Sequence, residues 1–465
     1  MVLDTAASQI QQCPSRPGES GIRSPLYKAI VDEFAAAIRS GALPAGARLP
    51  AHRDLARERR IALATATRVY AELAAMGLVT GEPGRGTFVR HQAGYDGPEP
   101  SRALPVPRVA DLSFNQPLAH GQADQLRLAL RALSSSGGIE SLLRQHPPGG
   151  RAHDRAVVAT YLLDRAIDAA PAEVVLTGGT QQALDCVLRA LTRPGDVLAV
   201  DALSYPGIRL LASQHGLDLA PVPVTPTGPD LDALERLCRV RRVRAIYTIP
   251  TVHNPLGWVL DREQRLRLAA TARAHDCVIV EDGTYAFLEA APPPPLRALA
   301  PERTCYVAGL SKNVATGLRF GFAVVPARHV EAVTRSLRAA SWGVPGLVVA
   351  IATGWMADGT VARLERARRR DAAARQDIAR AELAGLDVTA HPVSYSVWLG
   401  LEAHQRPDHV AAVLAREGIL VSTADAFATG PSRPRALRLA LGTPPLDGLG
   451  PALRRLRCAI EAIPP

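Results

Sequence analysis

The basic residues of this chain are almost all arginine, and one exception suggests chemistry. Of the 54 lysines and arginines, only Lys28 and Lys312 are lysine. Arginine can replace lysine wherever a solvated charge is enough, but its guanidinium stays protonated and cannot attack a carbonyl. Retention of Lys312 is explained by a nucleophilic amine that forms a Schiff base with pyridoxal 5'-phosphate (PLP). The alternative is chance survival, because a GC-rich genome also replaces lysine by arginine.

Other side chains that suit a charged aromatic cofactor surround Lys312 in the chain. Arg319 follows it by seven residues and can pair with a phosphate as a charged fork. Thr180 lies in the turn TGGTQQAL, where backbone N–H groups and its hydroxyl can bind phosphate at a helix start. Asp282 ends an apolar run, and a buried acid needs a partner such as a pyridinium nitrogen. Together these groups predict a PLP site.

Apolar, strand-like runs alternate with helical segments from residue 173 onward. The runs are Glu173 to Leu176, Val197 to Val200, Ala245 to Ile249, Val278 to Val280, Cys305 to Val307 and Phe322 to Val325. This alternation predicts an α/β domain with a mainly parallel sheet covered by helices. A long Arg-rich helix from about Thr353 through Glu382, then shorter strand and helix signals, predicts a smaller α+β lobe from about residue 350.

From about Asp111 to the C-terminus the set of motifs resembles the fold-type I aminotransferases. The resemblance implies roles for the matching residues: Lys312 as the Schiff-base lysine, Asp282 as the pyridine partner, Tyr285 and Asn254 as phenolate-oxygen donors, Tyr205 as the stacking ring, Thr180, Gln181, Ser311 and Arg319 as the phosphate cup, and Arg438 as the anchor for a substrate or effector carboxylate. Two positions depart from the pattern. Gly309 stands where many relatives have a phosphate-binding hydroxyl, and Leu256 replaces a common threonine, which predicts weaker phosphate binding.

The segment from Arg23 to Arg90 has a different character. It carries eleven basic and six acidic residues, so it accounts for half of the chain's net charge of +10. Apolar residues every three or four positions predict a first helix after Ser24 and Pro25 and a third from about Leu63 to Met76, with a short one between. A positive segment built from short helices is typical of nucleic-acid binders, although a solvated basic face gives the same count.

Two β-prone runs around the turn GEPGRG complete this segment as a hairpin with Arg85 at its tip. The segment resembles a GntR-type winged helix-turn-helix through Leu26-Tyr27, Leu43-Pro44-Ala45-Gly46, Arg53-Asp54-Leu55-Ala56, Gly77-Leu78-Val79 and Gly84-Arg85-Gly86-Thr87-Phe88-Val89. The resemblance implies that double-stranded DNA is contacted by Arg53, Thr65, Thr67, Arg68, Arg85 and Gly86. Ala62 and Leu63 replace the usual serine and arginine at the recognition helix, which shifts base contacts toward Thr65, Thr67 and Arg68. The alternative is a winged helix that serves only dimer or partner contacts.

Composition sets the remaining expectations. The six cysteines and twelve histidines show no metal-ligand spacing, so we expect no metal site and a reducing compartment. The longest apolar run, Gly346 to Ala352, is too short to span a membrane, and the N-terminus has no signal-peptide pattern, so we expect a cytoplasmic protein. The predicted organisation is a disordered segment 1–22, a winged helix 23–90, a Gly- and Pro-rich linker 91–110, and an aminotransferase-like domain 111–465.

A winged helix joined to an aminotransferase-like domain is the architecture of the MocR family of bacterial regulators. That resemblance implies a homodimeric, PLP-dependent transcriptional regulator that binds an operator and senses PLP or an amino compound through the Schiff base at Lys312. The competing interpretation is a working aminotransferase with an accessory DNA-binding module, because every group needed for transamination is present. A purely structural or protein-binding module leaves Lys312, Asp282 and Arg438 unexplained.

Overall fold

The computed structural model describes residues 26–39, 42–44, 46–75, 78–82, 86–89, 110–116, 121–135 and 138–464. The chain divides into two compact units, residues 1–94 and 95–465. The predicted disordered segment 1–22, the linker 91–110 apart from residue 110, and Arg85 lie outside the described residues.

The described residues of the first unit form three helices and two paired strands, as the sequence predicts. They are α1 (Leu26–Arg39), α2 (His52–Glu58), α3 (Leu63–Ala75), β1 (Val79–Glu82) and β2 (Gly86–Val89). The strands pair antiparallel with Val79 opposite Val89 and Glu82 opposite Gly86. The helical repeat places Ile30, Phe34, Ile38, Ala66, Val69, Tyr70 and Leu73 in one buried core.

The second unit contains twelve helices and fourteen strands among its described residues. The helices are α4 (Gln122–Ser134), α5 (Ala152–Leu163), α6 (Thr180–Leu191), α7 (Pro206–Gln214), α8 (Leu231–Val240), α9 (Arg262–Ala274), α10 (Leu296–Leu299), α11 (Ala327–Ser341), α12 (Gly346–Ala357), α13 (Thr360–Glu382), α14 (Pro407–Arg416) and α15 (Leu446–Glu461). The strands are β3 (Ala110–Leu112), β4 (Val174–Thr177), β5 (Val197–Asp201), β6 (Asp218–Val222), β7 (Val224–Thr225), β8 (Gly228–Pro229), β9 (Val243–Thr248), β10 (Val278–Asp282), β11 (Thr304–Gly309), β12 (Gly321–Val324), β13 (Val388–Ala390), β14 (Ser396–Gly400), β15 (Ile419–Thr423) and β16 (Ala436–Ala440).

A seven-stranded sheet forms the centre of this unit, in the order β4-β12-β11-β10-β9-β5-β6. All six predicted strands belong to it, and β12 runs in the direction opposite to the other strands of the sheet. Except for the edge strand β6, its strands are buried along nearly their whole length because both faces of the sheet are covered by helices. The carboxyl ends of β9, β10 and β5 therefore meet at one edge, where ligands bind in sheets of this type.

A five-stranded sheet, in the order β13-β14-β16-β15-β3, forms the smaller lobe. Its strand β3 comes from residues 110–112, far in sequence from the other four. The predicted long helix from Thr353 is wrong in its start: residues 353–357 belong to α12, and α13 begins at Thr360. Gly359 takes a φ of +76° at the break, a conformation that glycine adopts without strain.

No single helix in the described part of the chain is long and apolar enough to cross a membrane. The helices α12 and α13 meet the length and composition criterion only as a pair, bent by 76°.

Candidate cofactor site and DNA-binding surface

Lys312 lies in a tight turn that follows β11. The Leu310 N–H donates to the Phe320 carbonyl and the Val314 N–H donates to the Leu310 carbonyl, so the turn has a fixed shape. The Lys312 Nζ donates to the main-chain carbonyl of Asn115 at 2.6 Å. It also lies 4.3 Å from the centre of the Phe114 ring. Ser311 is half-buried beside it.

Positive charges crowd the Lys312 amine. Burial lowers the pKa of Lys312 from its ordinary value to about 7, and the guanidinium groups of Arg438 and Arg319 contribute to that lowering. A substantial fraction of the amine is therefore neutral at neutral pH and can act as a nucleophile. The positive charges of Lys312, Arg438 and Arg319 also favour binding of a ligand with negatively charged groups.

Asp282 ends β10 at the carboxyl edge of the sheet and is buried. One carboxylate oxygen accepts a hydrogen bond from the Tyr247 hydroxyl at 2.9 Å, and the other accepts one from the Thr284 N–H at 2.9 Å. Burial raises the pKa of Asp282, and the bonds from Thr284 and Tyr247 oppose that rise. A carboxylate in such a place is stabilised by an adjacent cation, which is what a protonated pyridine nitrogen provides.

The residues expected to bind phosphate lie together at the start of α6. Gly179 precedes the helix with a φ of +99°, and the Arg319 guanidinium lies so close that a Cβ at Gly179 would be 3.1 Å from its Nη2. The Thr284 hydroxyl donates to the Thr180 hydroxyl at 3.3 Å. The first N–H groups of α6, the Thr180 hydroxyl and Arg319 thus converge as anion ligands usually do.

Gly309 has a structural reason to lack a side chain. A Cβ there would lie 2.7 Å from the Phe320 carbonyl oxygen and 3.0 Å from the Thr180 hydroxyl oxygen. A hydroxyl-bearing side chain therefore does not fit, and the Thr180 hydroxyl occupies the neighbouring space. The closeness of the Phe320 carbonyl and of Thr180 therefore accounts for a glycine at this position.

Two further predicted residues, Gln181 and Tyr205, lie close together. Gln181 donates to the Gly207 carbonyl at 3.2 Å, and a Cβ on Gly207 would overlap both the Tyr205 ring and the Gln181 side chain. Tyr205 and Gln181 are therefore brought together at the start of α7. Asn254 is buried in the turn after β9, and its Oδ1 has no hydrogen-bond partner among the described residues.

Arg438 lies in the middle of β16 and is buried. Its Nε lacks a hydrogen-bond partner within the described part of the chain, and its guanidinium lies 4.9 Å from the centre of the Phe427 ring. Burial lowers the pKa of Arg438 to about 10, while nearby Tyr285 and Asp111 oppose that change. A guanidinium with an unused N–H is ready for a carboxylate.

Asn115 is a residue that sequence reasoning missed. Its carbonyl holds Lys312, its amide donates to the Ser396 hydroxyl at 3.1 Å, and its Oδ1 accepts from the Gly442 N–H at 3.0 Å. It also hydrogen-bonds Tyr285, whose pKa is raised by burial and lowered in part by Arg438 and by this bond. No motif marks Asn115 in the sequence.

His253 is a second missed residue, although it begins the motif that contains Asn254. It is buried, stacks on Trp258 with ring centres 3.7 Å apart, and places its Nε2 3.5 Å from the Asp201 carboxylate. Burial lowers the pKa of His253, and Asp201 opposes that change. His253 therefore supports the turn that carries Asn254.

The outward face of α3 in the first unit matches its prediction in part. Thr67 and Arg68 are exposed and Thr65 is half-buried, while Arg53 is exposed on α2. The Arg68 guanidinium stacks on the Tyr27 ring at 4.2 Å, and the Thr67 hydroxyl donates to the Leu63 carbonyl at 3.0 Å. Gly86 packs against Arg48, since a Cβ at Gly86 would lie 2.8 Å from the Arg48 Nε. The hydroxyl of Thr67 is therefore used within the helix, and Arg68 must leave Tyr27 to reach a base.

Comparison with known proteins agrees with this architecture. Residues 107–455 match the family described as aminotransferase class I and II, and residues 26–89 match bacterial regulatory proteins of the gntR family. An uncharacterized HTH-type transcriptional regulator of Bacillus subtilis, YdeF, is 24% identical, and the match covers 96% of each chain. The probable rhizopine catabolism regulatory protein MocR of Rhizobium meliloti is 28% identical over 76% of each chain.

One solved structure shows what a protein of this fold binds. It is LysN, the alpha-aminoadipate aminotransferase of Thermus thermophilus, complexed with N-(5'-phosphopyridoxyl)-L-leucine. It is 27% identical, superposes with a TM-score of 0.69, and covers 76% of this chain and 92% of its own.

The fold implies PLP as the cofactor, and the residues of this chain fit it. The helix start beside the Arg319 guanidinium, the buried carboxylate of Asp282 and the Lys312 amine are the kinds of group that a phosphorylated pyridine aldehyde would contact. The chain therefore belongs to the aminotransferase class I and II family and, with a GntR-type DNA-binding domain preceding that region, has the architecture of the MocR-type regulators.

Proposed function

We propose that this protein is a DNA-binding transcriptional regulator whose aminotransferase-like unit holds PLP at Lys312 and responds to PLP or to an amino compound that carries a carboxylate. The observation that carries the proposal is the convergence of Lys312, Arg438 and Arg319 within one chain that also has a GntR-type unit. Binding of chromosomal DNA would place the protein in the cytoplasm.

Each residue of the site has a defined task in this proposal. PLP, when bound, supplies an aldehyde for amines and a ring that accepts electrons. The neutral fraction of the Lys312 amine provides the attacking nitrogen, Asp282 holds a proton on the pyridine nitrogen, and Asn254 and Tyr285 donate to the ring oxygen. Thr180, Gln181, Ser311 and Arg319 hold the phosphate, and Tyr205 stacks on the ring. Arg438 binds the effector carboxylate.

The regulatory step is a shift in population. An effector changes DNA binding only if it has different affinity for two arrangements of the protein. Arg438 lies in the smaller lobe and Lys312 follows a strand of the larger sheet, so a ligand that contacts both favours one arrangement of the lobes. We propose that this arrangement sets DNA affinity, with DNA contacts from Arg53, Thr65, Thr67, Arg68, Arg85 and Gly86.

We also propose a homodimer. Large apolar side chains are exposed along α4 and the segment after it, including Leu128 at 63% and Leu143 at 90% exposure. Such a patch is unusual for a monomer and is typical of an interaction surface. Light scattering on the purified protein tests this: a mass of one chain contradicts the dimer, and Leu128→Glu should convert a dimer to monomer while the exposed Val240→Glu should not.

The test of the main proposal uses PLP-loaded protein and a duplex library of random sequence from which bound fragments are selected. We expect enrichment of one operator sequence, and a change in its affinity when amino acids alter the PLP absorbance band. The regulator proposal is refuted if the protein enriches no DNA sequence. It is also refuted if DNA affinity stays unchanged with every ligand that changes the PLP absorbance band.

An amino acid transaminase with an accessory DNA-binding module is the second candidate. It is favoured by the complete set of Lys312, Asp282 and Arg438 and by the likeness to LysN, which is named an aminotransferase. Sustained conversion of an amino acid with a second keto acid, at rates unaffected by DNA, would support it. A single half-turnover that stops after one equivalent would favour the regulator.

A further inference from the structure

The turn that carries Lys312 is attached to the helix that leads into the smaller lobe. The Asn313 amide donates to the Glu365 carboxylate of α13 at 2.7 Å, and both side chains are buried. One turn further along α13, the Arg368 guanidinium donates to the Val314 carbonyl at 3.2 Å. Two residues on one face of α13 thus hold the two residues that directly follow Lys312.

Glu365 is itself fixed from the opposite side. Arg165, after α5, contacts both of its carboxylate oxygens, at 2.6 and 2.7 Å, and the Tyr161 hydroxyl donates to it at 2.8 Å. A bidentate pair with further donors is the strong form of a buried ion pair. The position of the Glu365 carboxylate is therefore fixed. A movement of α13 must either move the Lys312 turn with it or break the Asn313–Glu365 hydrogen bond.

The other half of α13 holds the lobe that contains Arg438. Arg375 donates to the carbonyls of Leu441 and Pro444 at 2.6 and 2.7 Å, just beyond the end of β16. Gln376 donates to the carbonyls of Ser394 and Ser396 at 2.7 and 3.1 Å, at the start of β14. Arg375 and Gln376 lie ten and eleven residues from Glu365, about 15–16 Å along an unbroken helix.

We propose that Glu365 is a positioning residue that, through Asn313, couples the Arg438 lobe to the Lys312 turn by way of α13. The proposal rests on the proposed function, since it concerns regulation of the same PLP site. A carboxylate bound at Arg438 then alters the placement of the Lys312 amine without touching it. By linkage, occupancy at Lys312 changes carboxylate affinity at Arg438 by the same factor.

The first test compares Asn313→Ala with Tyr161→Phe in full-length, PLP-loaded protein. Asn313→Ala removes the bond from the turn to Glu365 but leaves the Arg368 bond to the Val314 carbonyl and the Arg165–Glu365 pair intact. Tyr161→Phe removes another hydrogen bond to the same carboxylate, together with a longer bond of 3.3 Å from the Asn313 amide to the Tyr161 hydroxyl, and leaves the Asn313–Glu365 bond in place. Three quantities are measured: the rate of PLP release after dilution, the pH midpoint of the PLP absorbance band, and the thermal unfolding temperature.

We expect Asn313→Ala to accelerate PLP release about tenfold, the equivalent of one buried hydrogen bond to a charged group, and to move the pH midpoint. Tyr161→Phe should keep release within about twofold of wild type even where it lowers the unfolding temperature equally. Equal effects of the two variants on release, or no effect of Asn313→Ala, would overturn the coupling. A wild-type protein that takes up no PLP would instead refute the proposed function.

A second measurement needs no substitution. Hydrogen exchange is followed on protein stripped of PLP and then reloaded with PLP alone. We expect residues 310–315 and 360–376 to gain protection together, since the hydrogen bonds described above join them. Protection that rises in the turn while α13 stays unchanged would contradict the proposal.

Discussion

The two units of this protein build their functional surfaces from opposite kinds of contact. The six proposed DNA-binding residues all lie between Arg53 and Gly86, and three of them are placed by the repeat of a single helix, α3. The cofactor site joins Asn115, Asp282, Lys312 and Arg438, which are separated by more than three hundred residues of chain. A surface of the first kind depends on one small core, whereas the second depends on the relative placement of two sheets.

Removal of the Lys312 amine should have the largest effect and should be confined to the second unit. Lys312→Ala leaves no amine that can reach the cofactor, so we expect complete loss of the PLP absorbance band. Lys28→Ala removes the other lysine of the chain, which is exposed on α1, and should keep the band. Absorbance spectra of both variants with PLP test this prediction. A PLP band that persists in Lys312→Ala would show that another group binds the aldehyde.

Loss of core packing in the first unit should abolish DNA binding and leave PLP binding by the second unit unchanged. Leu73 is fully buried on α3, and Leu73→Ala should destabilise this unit by about 2–5 kcal/mol and so abolish DNA binding. The PLP band should remain. Leu63→Ala, on an exposed leucine of the same helix, should cost less than about 0.5 kcal/mol. Denaturation followed by helical signal and by the PLP band tests this, and loss of both signals at one midpoint would show that the units do not unfold independently.

The sequence predicted the parts of the structure that depend on local patterns. All six strands named from apolar runs are in the large sheet, and the buried positions of α1 and α3 follow the helical repeat. The two strands of the first unit also pair antiparallel, as predicted for a hairpin.

The missed features depend on contacts between distant segments. Asn115 holds Lys312 through a main-chain carbonyl, a group that every residue has, so no side-chain pattern reveals it. The small lobe gains β3 from residues 110–112 because a β-sheet can pair strands from any part of the chain. Gly309 looked like a departure from the family pattern, but only the approach of Phe320 and Thr180 shows why a side chain is excluded. The break at Gly359 is different, since the Asp-Gly pair at 358–359 was a visible signal of it.

Changing the effector anchor tests whether the smaller lobe contributes to recognition. Arg438→Lys keeps a positive charge but loses the planar fork, so carboxylate-bearing amino acids should bind about ten- to a hundredfold more weakly. Amines without a carboxylate should bind as they do to wild type. Titration of the PLP band with matched amino acid and amine pairs measures both, and an equal loss for both classes would place the carboxylate elsewhere.

The exposed face of α3 should give a smaller effect that is specific to DNA. If Arg68 leaves Tyr27 to contact a base, Arg68→Ala should weaken operator binding by about 1–3 kcal/mol and relax the sequence preference at one position. Arg416→Ala removes an exposed arginine of the second unit and should leave binding unchanged. Binding to the selected operator and to its single-base variants is the measurement. Uniform weakening over all sequences would assign Arg68 to the phosphate backbone instead.

The smallest expected effect is a shift in the pH dependence of PLP uptake. It measures how much the charge of Arg438, in the smaller lobe, contributes to the pKa of Lys312. Burial, Arg438 and Arg319 lower the pKa of Lys312 to about 7. The neutral, reactive fraction of the Lys312 amine therefore increases as pH rises through 7. PLP uptake by PLP-free protein should accelerate over that range and level off above it. Arg438→Leu removes a neighbouring positive charge, which makes protonation easier, raises the pKa of Lys312 and moves the midpoint of the rate profile to higher pH. Arg435→Leu, an exposed arginine just before β16, should leave the midpoint unchanged. A midpoint that does not move in Arg438→Leu would mean that burial and Arg319 set the pKa of Lys312 without a contribution from Arg438 of the smaller lobe.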